Sequence, residues 1–436
     1  MKGVRAYPWP PGASTRATAA TQTRGAGVRA GSVGPMSRRA WQPGQLVWAG
    51  FEGRQLPPTL EADLRAGRVG GVVLFARNFD RDDPDQPRRL CDRIVAAAPP
   101  DAPTVLAIDQ EGGRVQRLRA PWTEFPPLRA LGQLDHLATT AAVARAIARE
   151  LLDLRITLDF APVVDVDTNP ANPVIGDRSF GREAEPVGRH AAAFIAALQA
   201  EGVAACAKHF PGHGDTELDS HLALPVLPHE LERLRRVELP PFANAIAAGV
   251  ATIMSAHVLF PRLDRERPAT LSPDVLGLLR ADLGFEGLVF SDDLEMRAIA
   301  DHWRPAAIVE QGLAAGIDGF LVCSREDLRQ ELTARLEKQR DAAVEPGITR
   351  VVALKRRFGV SADEHGRLPL VRPSAPAPPP LAVGPGGLIA ADAAVLAALP
   401  PPPGAPSPPP LPAIGPPYPE HQALAARVAR GEPVDA

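Results

Sequence analysis

Residues 202–225 read GVAACAKHFPGHGDTELDSHLALP, and the fold turns on how this stretch is interpreted. Val203–Lys208 is a short apolar run, too brief for a helix and bounded by Gly202, so it reads as a buried strand. At its end the character changes abruptly: Lys208 and His209 are followed by a glycine-rich loop bearing His213, Asp215, Asp219 and His221. A connection of this length inside a compact domain points to function. Asp219 and His221 lie two residues apart, so an extended backbone places both side chains on one side. A carboxylate beside an imidazole orients the ring and raises its proton affinity, which suits a proton shuttle near neutral pH.

Two other readings compete for the same loop. Asp, Ser and His are ordinary loop residues, and His209, His213, Asp215, Asp219 and His221 are also the residue types that hold zinc. The His209-to-His213 spacing is interrupted by Pro211 and Gly212, however, and no cysteine pair accompanies it. No metal and no other cofactor is therefore expected.

Outward from this strand, the same punctuation recurs. Apolar runs at Leu46–Gly50, Val69–Phe75, Val105–Asp109, Leu158–Val164, Thr252–His257, Gly287–Asp292 and Gly319–Cys323 alternate with helical patterns. The helical segments are 60–66, 87–98, 138–154, 186–200, 230–248, 273–283 and 305–315, with two more near 325–340 and 346–358. Ser272-Pro273 has the form of an N-cap followed by proline at the first helical position. Eight strands alternating with helices fit a single α/β domain, a (β/α)8 TIM-type barrel. An open doubly wound sheet is the alternative, but no G-x-G-x-x-G follows the first strand.

A barrel requires its chemistry at the C-terminal ends of the strands. Asp109, Asp165, Lys208-His209, His257 and Asp292 all stand at or just beyond such ends. Core packing does not account for them, because buried charges are costly unless paired or used. In FSDDLEM (290–296), alternation sends Asp292 and Asp293 to opposite faces, one chemical and the other capping the next turn. In DQEGGRVQR (109–117), Asp109 can accept from hydroxyls while Arg114 or Arg117 donates; NPVIGDRSFG (172–181) brings Arg178 to the loop after the fourth strand. Fixed donors and acceptors around one carboxylate are what a sugar ring requires, since its hydroxyls demand partners.

Taken in order, DQEGGRVQR, NPVIGDRSFG, KHFPGHGDTELDSH and FSDDLEM resemble family 3 glycoside hydrolases. They are most similar to the single-domain bacterial β-N-acetylhexosaminidases that act on cell-wall muropeptide fragments. The likeness spans about residues 45–360. It implies Asp292 as nucleophile, His221 as general acid/base and Asp219 as its partner, with Asp109, Arg117, Arg178, Lys208 and His209 binding the sugar. It also implies a retaining hydrolase that removes terminal β-linked N-acetylglucosamine. Transfer to phosphate or another acceptor on the same barrel, and sugar binding without catalysis, are the competing functions.

Composition bounds what surrounds this domain. A net charge of −3 offers no basic face to nucleic acid. The three cysteines, Cys91, Cys206 and Cys323, are too far apart for a metal knuckle and read as reduced thiols. No apolar run reaches the length of a membrane span, and no apolar segment follows the basic residues near Met1. The expected protein is a cytoplasmic monomer whose partner is a small carbohydrate, with no membrane attachment. Residues 1–40 lack apolar periodicity and are expected to be disordered; 41–362 form the catalytic barrel; 363–436 are a Pro-rich, low-complexity tail that includes Pro400–Pro403. A short helix near 420–430 interrupts that tail.

Overall fold

The computed structural model describes residues 42–360 and 415–434. In chain order its strands are β1 (Val47–Ala49), β2 (Gly71–Leu74), β3 (Leu106–Ile108), β4 (Gln110–Gly112), β5 (Val115–Gln116), β6 (Ile156–Asp159), β7 (Ala204–Phe210), β8 (Thr252–Ser255), β9 (Leu288–Asp293) and β10 (Gly319–Val322). All but β4 and β5 are parallel and close into one barrel in the order β1-β10-β9-β8-β7-β6-β3-β2. Helices run between successive strands, so the chain has the expected (β/α)8 architecture. The antiparallel β4–β5 hairpin was not anticipated; it grows directly from the end of β3 and carries the DQEGGRVQR motif.

Inside the barrel, Trp48 meets Phe290 edge to face at 4.8 Å, and Phe160 meets Phe290 at 5.4 Å. Rings of this size fit because the neighbouring strands give way. A Cβ on Gly71 would lie 2.3 Å from the Trp48 ring, and one on Gly319 would lie 2.4 Å from the Phe290 ring. At the opposite end from the site, Asp318 accepts from Arg280 at 2.6 Å, Arg350 at 2.9 Å and the Val289 amide at 2.9 Å. Charges on that lower face tie helices to strands, as expected of a face that serves stability.

The helix expected over 230–248 is two helices, Leu231–Arg236 and Leu239–Ala247. The break falls at Val237, and Pro240 and Pro241 explain it: neither can donate to the preceding turn, and both are tolerated only at the start of a new helix. The segment expected over 273–283 also changes character, from Pro273–Gly277 to a wider π turn over Leu278–Asp282. The last helix of the barrel begins at Asp341, five residues before Pro346, which was expected to start it.

The expectation for residues 1–40 lies outside the described residues, as does that for most of the Pro-rich stretch. The described part of that stretch does pack, unlike what its composition suggests. Pro419–Ala429 is a helix seated on the Leu137–Asp153 helix. His421, Ala425 and Val428 recur at helical spacing and are buried. Tyr418 donates its hydroxyl to Asp153 at 2.6 Å, His421 Nδ1 lies 2.8 Å from Glu150, and the Val434 amide donates to Thr139 at 2.8 Å.

Removing one partner of a buried hydrogen-bonded pair costs about 1–3 kcal/mol when the other cannot reach water. Here the terminal helix can undock, so its own docking energy caps the loss. His421→Ala is therefore expected to expose residues 415–434 to protease while the barrel stays protected, read by limited proteolysis and mass mapping. Barrel fragments appearing as early as tail fragments would contradict a separately docked helix.

Candidate active site

The upper rim of the barrel is built around charges that should not be buried alone. Lys208, 2% exposed, points its ammonium between Asp109 Oδ1 and Glu111 Oε1, each 2.7 Å away. Arg117 donates to the second oxygen of Asp109 at 3.0 Å. Arg178 makes a two-pronged contact with Glu111, Nε to Oε2 at 2.9 Å and Nη2 to Oε1 at 2.8 Å. Such fork-to-fork pairing fixes both planes.

Electrostatics follow from this alternation of sign. Burial alone would raise the Asp109 carboxyl, but Lys208 and Arg117 outweigh it and hold the group well below the usual carboxylate range. Burial likewise works against Glu111, and Arg178 with Lys208 brings it down to about 2. Burial would strip the proton from Lys208, yet its two carboxylates hold it charged above the ordinary lysine value. Asp159, below this set on β6, forms no ion pair among the described residues; burial pushes it up to about 8 against the Gln110 amide and the charge of Lys208.

Next to this ladder stands Asp165, fully enclosed just after β6. Its Oδ2 accepts from His209 Nδ1 at 2.7 Å and from the His209 amide at 3.2 Å, while Oδ1 accepts the His213 amide at 2.7 Å. Burial disfavours its charge, but the two histidines and these donors bring its carboxyl below the ordinary value. His209 Nδ1 faces Asp165, and its Nε2 lies 3.5 Å from Arg178. The loop bearing Arg178 is stapled by Asn172, whose amide donates to the His213 carbonyl at 2.8 Å and whose oxygen accepts from Val174 and Ile175, each at 2.8 Å.

Asp292 and Asp293 separate as alternation requires. Asp293 turns its carboxylate to the Glu295 amide at 3.0 Å and, with burial the leading cause and Glu295 the next, is pushed up to about 7. Asp292 accepts from the Asp293 amide at 2.8 Å and lies in the field of His209, His257 and His221, which together overcome burial and lower its carboxyl. His257 reaches under this strand end, Nε2 to the Asp293 carbonyl at 3.0 Å.

The Asp219–His221 pair forms, though not on an extended backbone. The chain turns, and one carboxylate oxygen of Asp219 accepts both the His221 amide at 2.9 Å and ring Nδ1 at 2.8 Å. Burial raises the Asp219 carboxyl less than these His221 contacts lower it. His221 is 63% exposed, and its Nε2 has no partner among the described residues. The remaining loop donors disperse: Asp215 pairs with His229 at 2.9 Å, and His213 bonds to Thr216 and Ser220. Among the described residues no three His, Cys, Asp or Glu side chains converge as metal ligands would.

The structure thus gathers Asp109, Arg117, Arg178, Lys208 and His209 into one network, with Asp292 beside it and Asp219–His221 on the rim. Glu111 and Asn172 were missed as members of the site, and His213 was considered only as a possible metal ligand. For Glu111 a signal existed: it shares the parity of Asp109, so an extended backbone sends both carboxylates one way.

The model of the glycosyl hydrolase family 3 N-terminal domain matches residues 43–354. A β-hexosaminidase of Thiobacillus denitrificans is 41% identical over 276 residues, 62% of this chain and 75% of that protein. One of Pseudomonas aeruginosa is 39% identical over 294 residues, 67% and 84% of the respective chains. Among solved structures, a family 3 β-N-acetylglucosaminidase from a Paenibacillus species aligns with TM-score 0.70 and 40% identity, over 73% of this chain and 62% of that one. NagZ from Neisseria gonorrhoeae, in complex with N-trifluoroacetyl-D-glucosamine, aligns with TM-score 0.61 and 36% identity over 71% and 93%.

The charge ladder makes a contrast that denaturation can measure. Glu111→Gln leaves Lys208 and Arg178 without their shared, buried carboxylate and is expected to cost about 3–5 kcal/mol in urea unfolding. Glu124→Gln breaks an exposed pair with Arg119 and is expected to cost under about 1 kcal/mol. Equal losses would contradict the view that the ladder bears on folding.

Proposed function

The chain belongs to glycosyl hydrolase family 3, and from that premise we propose that it is a retaining β-N-acetylhexosaminidase, releasing terminal β-linked N-acetylglucosamine from muropeptide or chitooligosaccharide-type substrates. The observation that carries this reading is an imidazole nitrogen, His221 Nε2, that has no partner among the described residues and stands near enough to Asp292 to lower its carboxyl, beside a prearranged set of hydroxyl-binding groups. That set is Asp109, Arg117, Arg178, Lys208 and His209. Asp109 has a lone pair left on each oxygen, and Lys208 keeps one of its three donors, so both can meet sugar hydroxyls.

Chemistry then proceeds in two steps. Asp292, held anionic by its cationic and N–H neighbours, attacks the anomeric carbon as the bond to the leaving oxygen breaks; His221 Nε2–H delivers its proton to that oxygen. During this step Asp219 stabilises the charged ring and keeps Nδ1–H facing itself. In the second step Nε2, now unprotonated, takes a proton from water as that water displaces Asp292. Two inversions return the β configuration. Asp293, with its proton affinity raised and its oxygen committed to the following turn, serves the strand end and not the sugar.

We place the catalytic unit at residues 41–362, with the terminal helix as a brace on its flank. Three unpaired, buried cysteines fit a reducing compartment, supporting a cytoplasmic enzyme. No helix among the described residues is long and apolar enough to cross a membrane. The large apolar side chains exposed among the described residues, Leu218, Leu222 and Val226, sit on or beside the His221 loop and do not form a broad face, which supports a monomer.

Aryl glycosides test the reading. Turnover of aryl N-acetyl-β-glucosaminides should far exceed that of the matching glucosides. Asp292→Ala should abolish it, and His221→Ala should cost about 10²–10⁴ with poor leaving groups while nearly sparing the first step for good ones. Added azide, which needs no base, should restore His221→Ala turnover and give a β-glycosyl azide. Equal damage to good and poor leaving groups, with no azide product, would remove His221 from the acid/base role.

A further inference from the structure

We propose that His213 is a positioning residue for the acid/base loop: its ring grips Ser220, the residue between Asp219 and His221, and so sets where His221 stands above the sugar site. This inference rests on the hydrolase reading given above.

The loop has one foothold. Between Thr216 and Pro225 every residue is exposed or partly exposed except Ser220, which is 1% exposed. The Asp219–His221 bonds are internal to the loop, and the Leu222 and Ala223 amides return to the Asp219 carbonyl, so none of them fixes the loop to the barrel. Two contacts of Ser220 do. Its carbonyl accepts a long bond from the Ala298 amide at 3.3 Å, and its hydroxyl lies 2.9 Å from His213 Nε2.

The second contact closes whichever nitrogen carries the ring proton. Burial, the leading cause, lowers the proton affinity of His213 to about 4, so the ring is neutral near neutral pH and has one N–H and one acceptor nitrogen. With the proton on Nδ1, that N–H donates to Thr216 and Ser220 Oγ–H donates to Nε2; with the proton on Nε2, Thr216 Oγ1–H donates to Nδ1 and Nε2–H donates to Ser220 Oγ. Either way Thr216 and Ser220 hold the two edges of one buried ring.

The anchor is also shared with the sugar-binding groups. The His213 amide and the His209 ring sit on the two oxygens of the same carboxylate, Asp165. A rigid foot therefore sets the separation between a group that holds the sugar and the loop that supplies its proton. Small displacements of a catalytic group are expensive, about 10²-fold for 1 Å, whereas binding of the sugar does not use Ser220.

Ser220→Ala removes the hydroxyl and leaves the Ala298 tie; His213→Gln removes the ring. Both are compared with wild type and His221→Ala on phenyl and 2,4-dinitrophenyl N-acetyl-β-glucosaminides, with thermal midpoints recorded. For Ser220→Ala the expected result is a loss of about 10–10²-fold in kcat/KM on the phenyl substrate. The dinitrophenyl first step should be nearly unchanged, and azide should yield some glycosyl azide. His213→Gln should show the same split; if it fails to fold, Ser220→Ala alone decides. Unchanged rates in a folded Ser220→Ala, or equal loss on both substrates, would overturn the positioning role while leaving the hydrolase reading intact. A wild type inert on both substrates would overturn that reading and this inference with it.

Discussion

Lys208 cannot be buried alone. An ammonium 2% exposed at the end of a barrel strand is tolerable only because Asp109 and Glu111 each stand 2.7 Å from it. Those two carboxylates in turn need Arg117 and Arg178, so four segments are brought together: the end of β7, the end of β3, the β4–β5 hairpin, and the loop after β6. The unanticipated hairpin has its reason here, since it is what brings Glu111 to the ammonium and leads on to Arg117 at Asp109. The barrel provides strand ends; this alternation of charge decides which loops fold over them.

Asp165 extends the same logic from charge to orientation. One buried carboxylate receives the His209 ring, the His209 amide and the His213 amide, and from there rigidity passes through Ser220 to the exposed Asp219–His221 pair. The site is thus graded. The groups assigned to the sugar are largely buried and hold one another in place with lone pairs and donors to spare, while the group assigned to the proton stands on the rim, where the leaving portion of the substrate arrives and departs.

Much of this was legible in the chain. Alternation of apolar runs and helical patterns located all eight barrel strands, although the fourth, expected over Leu158–Val164, is Ile156–Asp159, and polar residues at their ends located Asp109, Lys208 and Asp292, because strand ends are where a barrel places buried charge. Asp292 and Asp293 were separable by parity alone. Contacts between loops were another matter. Asn172 looks like any loop asparagine until the His213 carbonyl is seen beside it, and Glu111 was hidden within a motif read for its arginines and glycines. The terminal helix was expected, but its docking was not: a proline-rich surround masked the spacing of His421, Ala425 and Val428, and no local pattern identifies Glu150 as the partner of His421, 271 residues away. Helix breaks at Val237 were readable in principle from Pro240 and Pro241 but lost to an apolar periodicity that runs through them.

The central claim is that the β9 strand end presents Asp292, and not its neighbours, to the anomeric carbon. Incubation with a slow 2-fluoro sugar that forms the glycosyl-enzyme but releases it sluggishly, followed by peptide mass mapping, tests this directly. The account predicts a single stoichiometric label on Asp292. A label on Asp293 or Glu295 would contradict the assigned strand phase and with it the arrangement of the site.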